Sequence, residues 1–385
     1  MGKTRKQRRS TTRRRGGTLL AQGAYGCAFR PALPCSRNTR NRPGQISKLM
    51  DGKDAVQELK QRDLFYGIDP NQKYFLYPFE LCDPKMPFRP SDNVKKCQVP
   101  MKLMKILQSL DGGQSIGKIL LTRAQYPAFF SSLSNLFNGL AKAHNNGIVH
   151  NDIKPDNIVS VANKDGTFST RFIDFGLSFR WDQLDSISKN VESPLSRDKS
   201  GHSVFDLSYH YWSVEIHFVN PHPFTNKKTI INEFYKDVVN ADKSIPQGLF
   251  YKTTEKGQVP VIDEAYLTWL ESTLNKMPMD ERYAIILTKD DTFALGLALA
   301  EVFYHRFGQR DNGKETVNIF MEFNPLRLSQ TKQVEFARDV STPFYKLIRR
   351  MIYPDIRKRI SIEEAGKLYK ATVVPAITKF FASPM

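Results

Sequence analysis

The sequence has few cysteines, and they show none of the common metal-site or redox spacings. Four of its 385 residues are cysteine, and no Cys-x-x-Cys pair occurs among them: Cys27, Cys35, Cys82 and Cys97. So few cysteines in a chain of this length predict a fold that does not depend on disulfides, and we expect reduced thiols. The spacing gives no support to a zinc cluster of Cys35, Cys82 and Cys97, although that alternative stays open.

Long apolar runs are also absent. No uncharged apolar run reaches the roughly 18–20 residues that a membrane helix needs, and residues 1–17 contain no apolar stretch that would serve as a signal peptide. Gly2 does not begin a myristoylation signal, because Lys6 stands where Ser or Thr is required. We therefore expect an intracellular protein with no membrane partner.

Acidic residues are missing from the start of the chain. Eight of the 57 lysines and arginines lie in the first fifteen positions with no acid among them, and the formal net charge of the whole chain is +18. Residues 1–17 repel one another and bury almost nothing, which predicts a disordered basic arm. Such an arm can be a solvated tail, a localisation signal or a surface that binds nucleic acid, and the sequence leaves these three open.

The remaining composition, 40% hydrophobic and 25% charged, is that of a globular chain. Residues 18–110 contain short runs of strand character and one helical segment near residues 54–66, which predicts a small β-rich lobe. From residue 111 to 385 the apolar residues recur at helical spacing, so we predict a larger helical lobe and an α+β fold overall. Residues 291–306 are apolar nearly all round and predict a buried helix. In an insert at about 216–290 the apolar residues recur with no clear period.

The densest set of polar residues begins at His150. The run His-Asn-Asp-Ile-Lys-Pro-Asp-Asn, residues 150–157, is followed by Asp-Phe-Gly at residues 174–176. Transfer of a phosphoryl group needs a carboxylate for the attacking hydroxyl, a nearby cation and oxygen ligands for magnesium, which Asp152, Lys154, Asn157 and Asp174 supply. A chance match to seven such positions is roughly one in a million at average residue usage.

These residues resemble the catalytic loop and the magnesium-binding loop of eukaryotic-type protein kinases. The resemblance implies that Asp152 is the catalytic base and that Lys154 stabilises the transferring phosphate. It also implies that Asn157 and Asp174 hold magnesium. Lysine two residues after the aspartate is typical of serine/threonine kinases.

Upstream residues extend the resemblance. A glycine-containing turn between two strand-like runs is similar to the kinase loop that covers the ATP phosphates. Its implied nucleotide-binding residues are Leu20, Ala21, Gln22, Gly23, Ala24, Tyr25, Gly26, Cys27 and Ala28. Ala21 and Ala28 depart from the usual Gly and Val. Lys48 matches the strand lysine that contacts the α- and β-phosphates, and Glu58 is its implied partner, only ten residues away.

Downstream, residues 208–215 resemble the end of a kinase activation segment. Ser208 matches the substrate-loop threonine, and Glu215 matches a glutamate that pairs with an arginine near the end of the domain, here Arg359. Asn151 replaces the arginine that receives an activating phosphate in many kinases, so activation of that kind is not expected.

The resemblance thus implies a two-lobed kinase with a β-rich N-lobe and a helical C-lobe, which transfers the γ-phosphate of ATP to serine or threonine of a protein with Mg²⁺. The alternative is a pseudokinase or a nucleotide-binding partner or scaffold, with a basic arm that binds nucleic acid. The combination of the arm with the motifs also resembles kinases of large nucleocytoplasmic DNA viruses. That likeness implies a location in the host cytoplasm or nucleus, or in the virion. The sequence does not indicate the oligomeric state.

Overall fold

A computed structural model describes most of the chain. The described residues are 17–23, 25–37, 44–88, 92–183, 209–218, 251–254, 257–260, 262–307, 310–311, 314–315 and 328–383. They form two compact units. The first unit comprises Met1–Arg62 and Pro78–Asp111, and the second comprises Asp63–Tyr77 and Gly112–Met385.

A five-stranded antiparallel sheet forms the body of the first unit. Its strands are β1 Thr18–Gln22, β2 Gly26–Arg30, β3 Gln45–Asp51, β4 Glu80–Cys82 and β5 Met104–Leu110, in the order β1-β2-β3-β5-β4. Helix α1, Gly52–Tyr66, follows β3 without a loop. The carboxylate of Asp51 accepts a hydrogen bond from the backbone N–H of Lys53 in the first turn of α1, at 3.2 Å.

The four cysteines form two disulfides, Cys27–Cys97 and Cys35–Cys82. The expectation of reduced thiols was therefore wrong for this structure. Cys27 and Cys35 are fully buried, and Cys27 packs in a small core with Phe29 and Leu49. A zinc cluster of three cysteines is also ruled out, since each sulfur is already bonded to another. Within the described ranges no three His, Cys, Asp or Glu side chains form a group that could hold a metal.

The second unit contains most of the helices. Their ranges are α2 Tyr126–Ser132, α3 Ser134–His144, α4 Glu264–Thr273, α5 Met279–Phe307, α6 Gln330–Phe336, α7 Thr342–Met351, α8 Ile362–Leu368 and α9 Val374–Ala382. Two π-helical turns, Ala337–Ser341 and Tyr369–Val373, join α6 to α7 and α8 to α9. Buried residues from these helices form one large apolar core.

Short strands in the second unit carry the polar loops. Strands β6 Gln114–Ser115, β8 Ile158–Ala162 and β9 Phe168–Phe172 form one antiparallel sheet, and β7 Ile148–Val149 pairs with β10 Phe179–Arg180. Two more antiparallel strand pairs lie further along the described part of the chain: β11 Tyr251–Thr254 with β12 Gly257–Pro260, and β13 Arg310–Asp311 with β14 Lys314–Glu315.

Helix α5 is longer than the sequence pattern indicated. The predicted buried segment began at Asp291, whereas the helix begins twelve residues earlier, at Met279. The first turns of α5 carry Asp280, Glu281 and Arg282, so a search for apolar residues misses them. Residues 290–300 are all buried, as predicted for the apolar part.

The two units differ from the predicted division in one segment. Residues 63–77 belong to the second unit, although the sequence pattern assigned them to the β-rich part. Much of the basic arm, 1–16, and much of the insert at 216–290 fall outside the described residues. No helix in the described part of the chain is long and apolar enough to cross a membrane.

Candidate active site

The backbone of the loop after β7 is held by a buried carboxylate from helix α5. Asp291 accepts hydrogen bonds from the backbone N–H groups of His150, at 2.8 Å, and Asn151, at 2.9 Å. His144 Nε2 lies 3.1 Å from the same carboxylate. Asn151 adopts a positive φ of 62°, a conformation that costs energy for a residue with a side chain. Asp291 thus fixes the turn that presents the next residue, Asp152.

Asp152 is buried and accepts hydrogen bonds from several groups. Lys154 Nζ lies 3.0 Å from both of its carboxylate oxygens. Asn157 Nδ2 donates to the Asp152 side chain at 2.7 Å and to its backbone carbonyl at 2.9 Å. These donors orient the carboxylate and place one positive charge beside it, which is the arrangement that phosphoryl transfer needs.

Asn157 and Asp174 lie on neighbouring loops. The backbone N–H of Ile173 donates to the carbonyl of Asn157 at 2.9 Å, which brings Asp174 next to Asn157 in the fold. Asn157 Nδ2 donates to Asp152, and the other polar atom of the same side chain, Oδ1, is an oxygen. Oxygen is the ligand type that magnesium prefers. Asp174 has a positive φ of 64°, and the buried Phe175 beside it packs 4.4 Å from the ring of Phe65. Asn157 and Asp174 are therefore candidate ligands for a divalent metal ion that would take its other ligands from phosphate and water.

A tyrosine hydroxyl also lies on Asp152. Tyr209 Oη donates a short hydrogen bond to Asp152 Oδ1, and Lys154 Nζ lies 3.5 Å from the same hydroxyl. Burial raises the pKa of Tyr209 above its ordinary value, and the neighbouring charge of Asp152 raises it further. The phenol is therefore neutral at physiological pH. The sequence pattern pointed to Ser208 at this place, and Ser208 lies outside the described residues.

In the first unit, Lys48 and Glu58 form an ion pair with Nζ and Oε2 2.6 Å apart. The ten-residue separation is short because β3 runs directly into α1. Both side chains are mostly shielded from solvent, with exposed fractions of 24% and 11%. The pair holds the ammonium group of Lys48 in one place.

The glycine-containing turn joins β1 to β2. The N–H of Gly23 donates to the carbonyl of Gly26 at 2.9 Å and closes the turn. A Cβ atom at Gly26 would lie 2.6 Å from the carbonyl of Leu49, so only glycine fits there. Ala28 pairs with Lys48 across the β2–β3 ladder.

The other residues predicted in this turn differ in their surroundings. Leu20, Ala21, Gln22 and Tyr25 are exposed, Gly23 is exposed as well, and Ala24 lies outside the described residues. Cys27 is fully buried and bonded to Cys97. Its side chain therefore cannot contact a nucleotide, and only its backbone remains for that role.

The predicted pair of Glu215 and Arg359 is present. Arg359 donates to both oxygens of Glu215, at 3.2 and 3.1 Å, and both side chains are almost completely buried. Tyr266 on helix α4 donates to Glu215 at 2.6 Å. Desolvation is costly for such a pair unless its remaining hydrogen-bonding groups are satisfied, and Arg359 meets this condition through the Tyr353 carbonyl, 3.0 Å away. The pair joins the segment after Tyr209 to the end of the unit.

Residues 112–199 match the family model of the protein kinase domain.

The matched segment contains His150, Asp152, Lys154, Asn157 and Asp174. The match supports a protein kinase, and with it an α+β fold, protein substrates and the use of ATP with a divalent metal. It covers less than a quarter of the 385 residues. Lys48, Glu58 and the glycine-containing turn lie before the matched segment, and Tyr209, Glu215 and Arg359 lie after it.

The structure therefore brings the predicted residues together in two sets. Asp152, Lys154 and Asn157 are in direct contact in the second unit, with Asp174 on the adjoining loop. Lys48 and Glu58 are in contact in the first unit.

Sequence reasoning missed three polar residues that touch the site or its supports: Tyr209, Asp290 and Tyr266. Tyr209 was visible only as part of an aromatic run, residues 209–212. Nothing in the local pattern of Asp290 or Tyr266 separated them from surface residues, because each meets a partner distant in sequence.

Proposed function

We propose that this protein is a serine/threonine protein kinase that uses ATP and Mg²⁺. The observation that carries the proposal is the buried carboxylate of Asp152, which accepts hydrogen bonds from Lys154, from Asn157 and from the hydroxyl of Tyr209. A base within hydrogen-bond reach of a hydroxyl is the geometry that transfer to an alcohol requires.

Each residue of the loop then has one task. Asp152 orients the hydroxyl of the protein substrate and accepts its proton as the oxygen attacks phosphorus. Lys154 offsets the negative charge at the attacked phosphate, since its ammonium group already lies 3.0 Å from Asp152. Asn157 and Asp174 would hold the metal ion. Magnesium, when bound, neutralises charge on the phosphates of ATP.

Lys48 and the glycine-containing turn would bind the nucleotide. By their likeness to kinases, Lys48 contacts the α- and β-phosphates, while Glu58 holds its ammonium group in position. The backbone N–H groups of residues 20–28 would lie over the phosphates. The preference for serine and threonine is proposed from Lys154, since lysine at this spacing is typical of such kinases.

The test is phosphate transfer from labelled ATP to a basic and an acidic protein acceptor, followed by phosphoamino acid analysis. The wild type should form phosphoserine or phosphothreonine. Asp152→Asn should lower kcat by about 100-fold to 10,000-fold, the usual contribution of a general base. Lys48→Met should also lose most transfer.

Two exposed residues give matched controls. Asp156→Asn changes a carboxylate in the same loop whose side chain is 62% exposed, and Lys60→Met changes an exposed lysine of α1. Both should keep the wild-type rate. If the wild type binds ATP but transfers no phosphate to any acceptor, the protein is a pseudokinase and the proposal fails.

The viral resemblance and the role of the basic arm are proposals from sequence alone. We propose that the arm binds nucleic acid or a virion component in the host cytoplasm, the nucleus or the particle. If six to eight of its charges meet phosphates, affinity for duplex DNA should fall by roughly a thousandfold or more between 50 and 200 mM salt. Removal of residues 1–17 should abolish that salt dependence, and a flat response of the full chain would refute DNA binding by the arm.

A further inference from the structure

The hydroxyl of Tyr209 is hydrogen-bonded to Asp152, the catalytic base of the proposed function. Tyr209 Oη donates to Asp152 Oδ1, and the ammonium group of Lys154 lies 3.5 Å from Oη and 5.6 Å from the centre of the ring. The phenol therefore has the base and the cation of the proposed reaction at its reacting oxygen.

The ring of Tyr209 is held by its aromatic neighbours. It packs edge-on against Trp212, with ring centres 4.7 Å apart, and lies 5.7 Å from the ring of Tyr211. Trp212 Nε1 in turn donates to the backbone carbonyl of Asn151 at 2.9 Å, which ties this aromatic group to the loop that carries Asp152. A hydroxyl held in this way has already lost the rotational freedom that a free substrate must lose.

We propose that Tyr209 is a phosphorylation site of the protein's own kinase activity, modified within the same chain. This inference rests on the proposed function. The phenol oxygen of Tyr209 bonds to the γ-phosphorus of ATP while the bond from that phosphorus to the bridging oxygen breaks. ADP leaves with the electron pair, and Asp152 takes the phenol proton.

The surroundings of Tyr209 fit this assignment. Since the phenol is protonated when it enters the reaction, a base must accept the proton, and Asp152 is hydrogen-bonded to it. The product is a phosphate with a charge of about −1.5 to −2. Repulsion from Asp152 would drive the phosphotyrosine away from the carboxylate, so each chain reacts once at this position and the site then becomes open to other hydroxyls.

The experiment uses the full chain after treatment with a phosphatase and removal of that enzyme. The protein is incubated with labelled ATP and Mg²⁺, and the phosphorylated residues are located by peptide mass spectrometry. We expect phosphotyrosine at residue 209, with a first-order rate constant that does not change with protein concentration. A chain with Asp152→Asn and an intact Tyr209, mixed with wild type, should stay unlabelled at residue 209.

Two tyrosine variants form a matched pair. Tyr209→Phe should lose the phosphotyrosine signal, whereas Tyr211→Phe should keep it, since the hydroxyl of Tyr211 bonds to Glu301 instead of Asp152. The mapping on the wild type does not depend on whether either variant folds.

The inference is overturned if the wild type phosphorylates the protein acceptors but carries no phosphate at residue 209. It is also overturned if labelling of residue 209 accelerates with protein concentration, which would indicate transfer between chains. If no acceptor of any kind is phosphorylated, the proposed function has failed, and this inference fails with it.

Discussion

At the scale of single residues, Asp290 shows how burial changes the pKa of a carboxyl group. Burial raises the pKa of Asp290 to about 8, and two hydrogen bonds from Ser213, at 2.6 and 2.8 Å, offset only part of that effect. Ser213 belongs to the segment that resembles the end of a kinase activation segment. The neutral acid therefore holds this segment against helix α5 at neutral pH.

This pKa makes folding depend on pH. The unfolded chain ionises Asp290 near pH 4, so folding takes up a proton between about pH 4 and pH 8. The stabilising contribution is complete below about pH 4 and is lost as the pH rises through about 8. Between pH 5.5 and 8 the free energy of unfolding of the wild type should fall, relative to Asp290→Asn, by up to about 1.4 kcal/mol per pH unit.

Urea denaturation at several pH values measures this difference. Asp165→Asn is a suitable control, because Asp165 is exposed in the turn between β8 and β9. Equal slopes for the wild type and Asp290→Asn would show that Asp290 is ionised in the folded protein.

At the scale of the elements, Gly113 lets the chain at the start of β6 lie close to β8. It has a positive φ of 92°, and a Cβ atom there would lie 2.2 Å from the carbonyl oxygen of Ser160 on β8. Gly166 also has a positive φ, of 82°, but no atom lies within 4 Å of the Cβ position. An alanine at residue 166 would therefore meet only backbone strain, whereas an alanine at residue 113 would meet backbone strain and a steric clash.

Alanine at the two positions should have different costs. Gly166→Ala should destabilise the protein by about 1–2 kcal/mol, the usual cost of a left-handed alanine. Gly113→Ala should cost clearly more, since β6 must move away from β8 as well. Thermal unfolding of both variants tests this, and equal losses would mean that the strands adjust freely.

Local motifs predicted the candidate site better than they predicted the elements around it. The 150–157 loop and Asp174 stood out in the sequence as residue types at fixed spacing, and in the structure Asp152 is in contact with both Lys154 and Asn157. The start of α5 at Met279 did not stand out, because its first turns are charged and an apolar period cannot detect them.

Contacts between distant residues were the least readable. Tyr209 reaches Asp152 across 57 positions, and Ser213 reaches Asp290 across 77. No local pattern encodes such contacts, since they arise only when separate elements pack. Glu215 and Arg359, 144 positions apart, were paired in advance only through the resemblance to kinases.

At the scale of the whole molecule, the disulfides were the main failure of sequence reasoning. Composition and spacing suggested reduced thiols, because four cysteines in 385 residues do not resemble a disulfide framework. The pairs are separated by 70 and 47 positions, and only the folding of the first sheet brings them together.

Reduction should weaken the first unit selectively. Removal of a native disulfide typically costs about 2–5 kcal/mol, and all four cysteines belong to this unit. Hydrogen exchange with and without a reducing agent should show lost protection in β1–β5 and little change in α5. Cys27→Ser with Cys97→Ser should reproduce part of that loss without a reductant. Four titratable thiols in the native, unreduced protein would contradict the prediction.

The first unit is also made of two stretches of chain, Met1–Arg62 and Pro78–Asp111, with residues 63–77 belonging elsewhere. Each disulfide joins one stretch to the other. A protease that cut the backbone anywhere from residue 63 to 77 would therefore leave a single covalent molecule. Its two fragments would migrate as one band on a gel without reductant and would separate once the sulfurs were reduced.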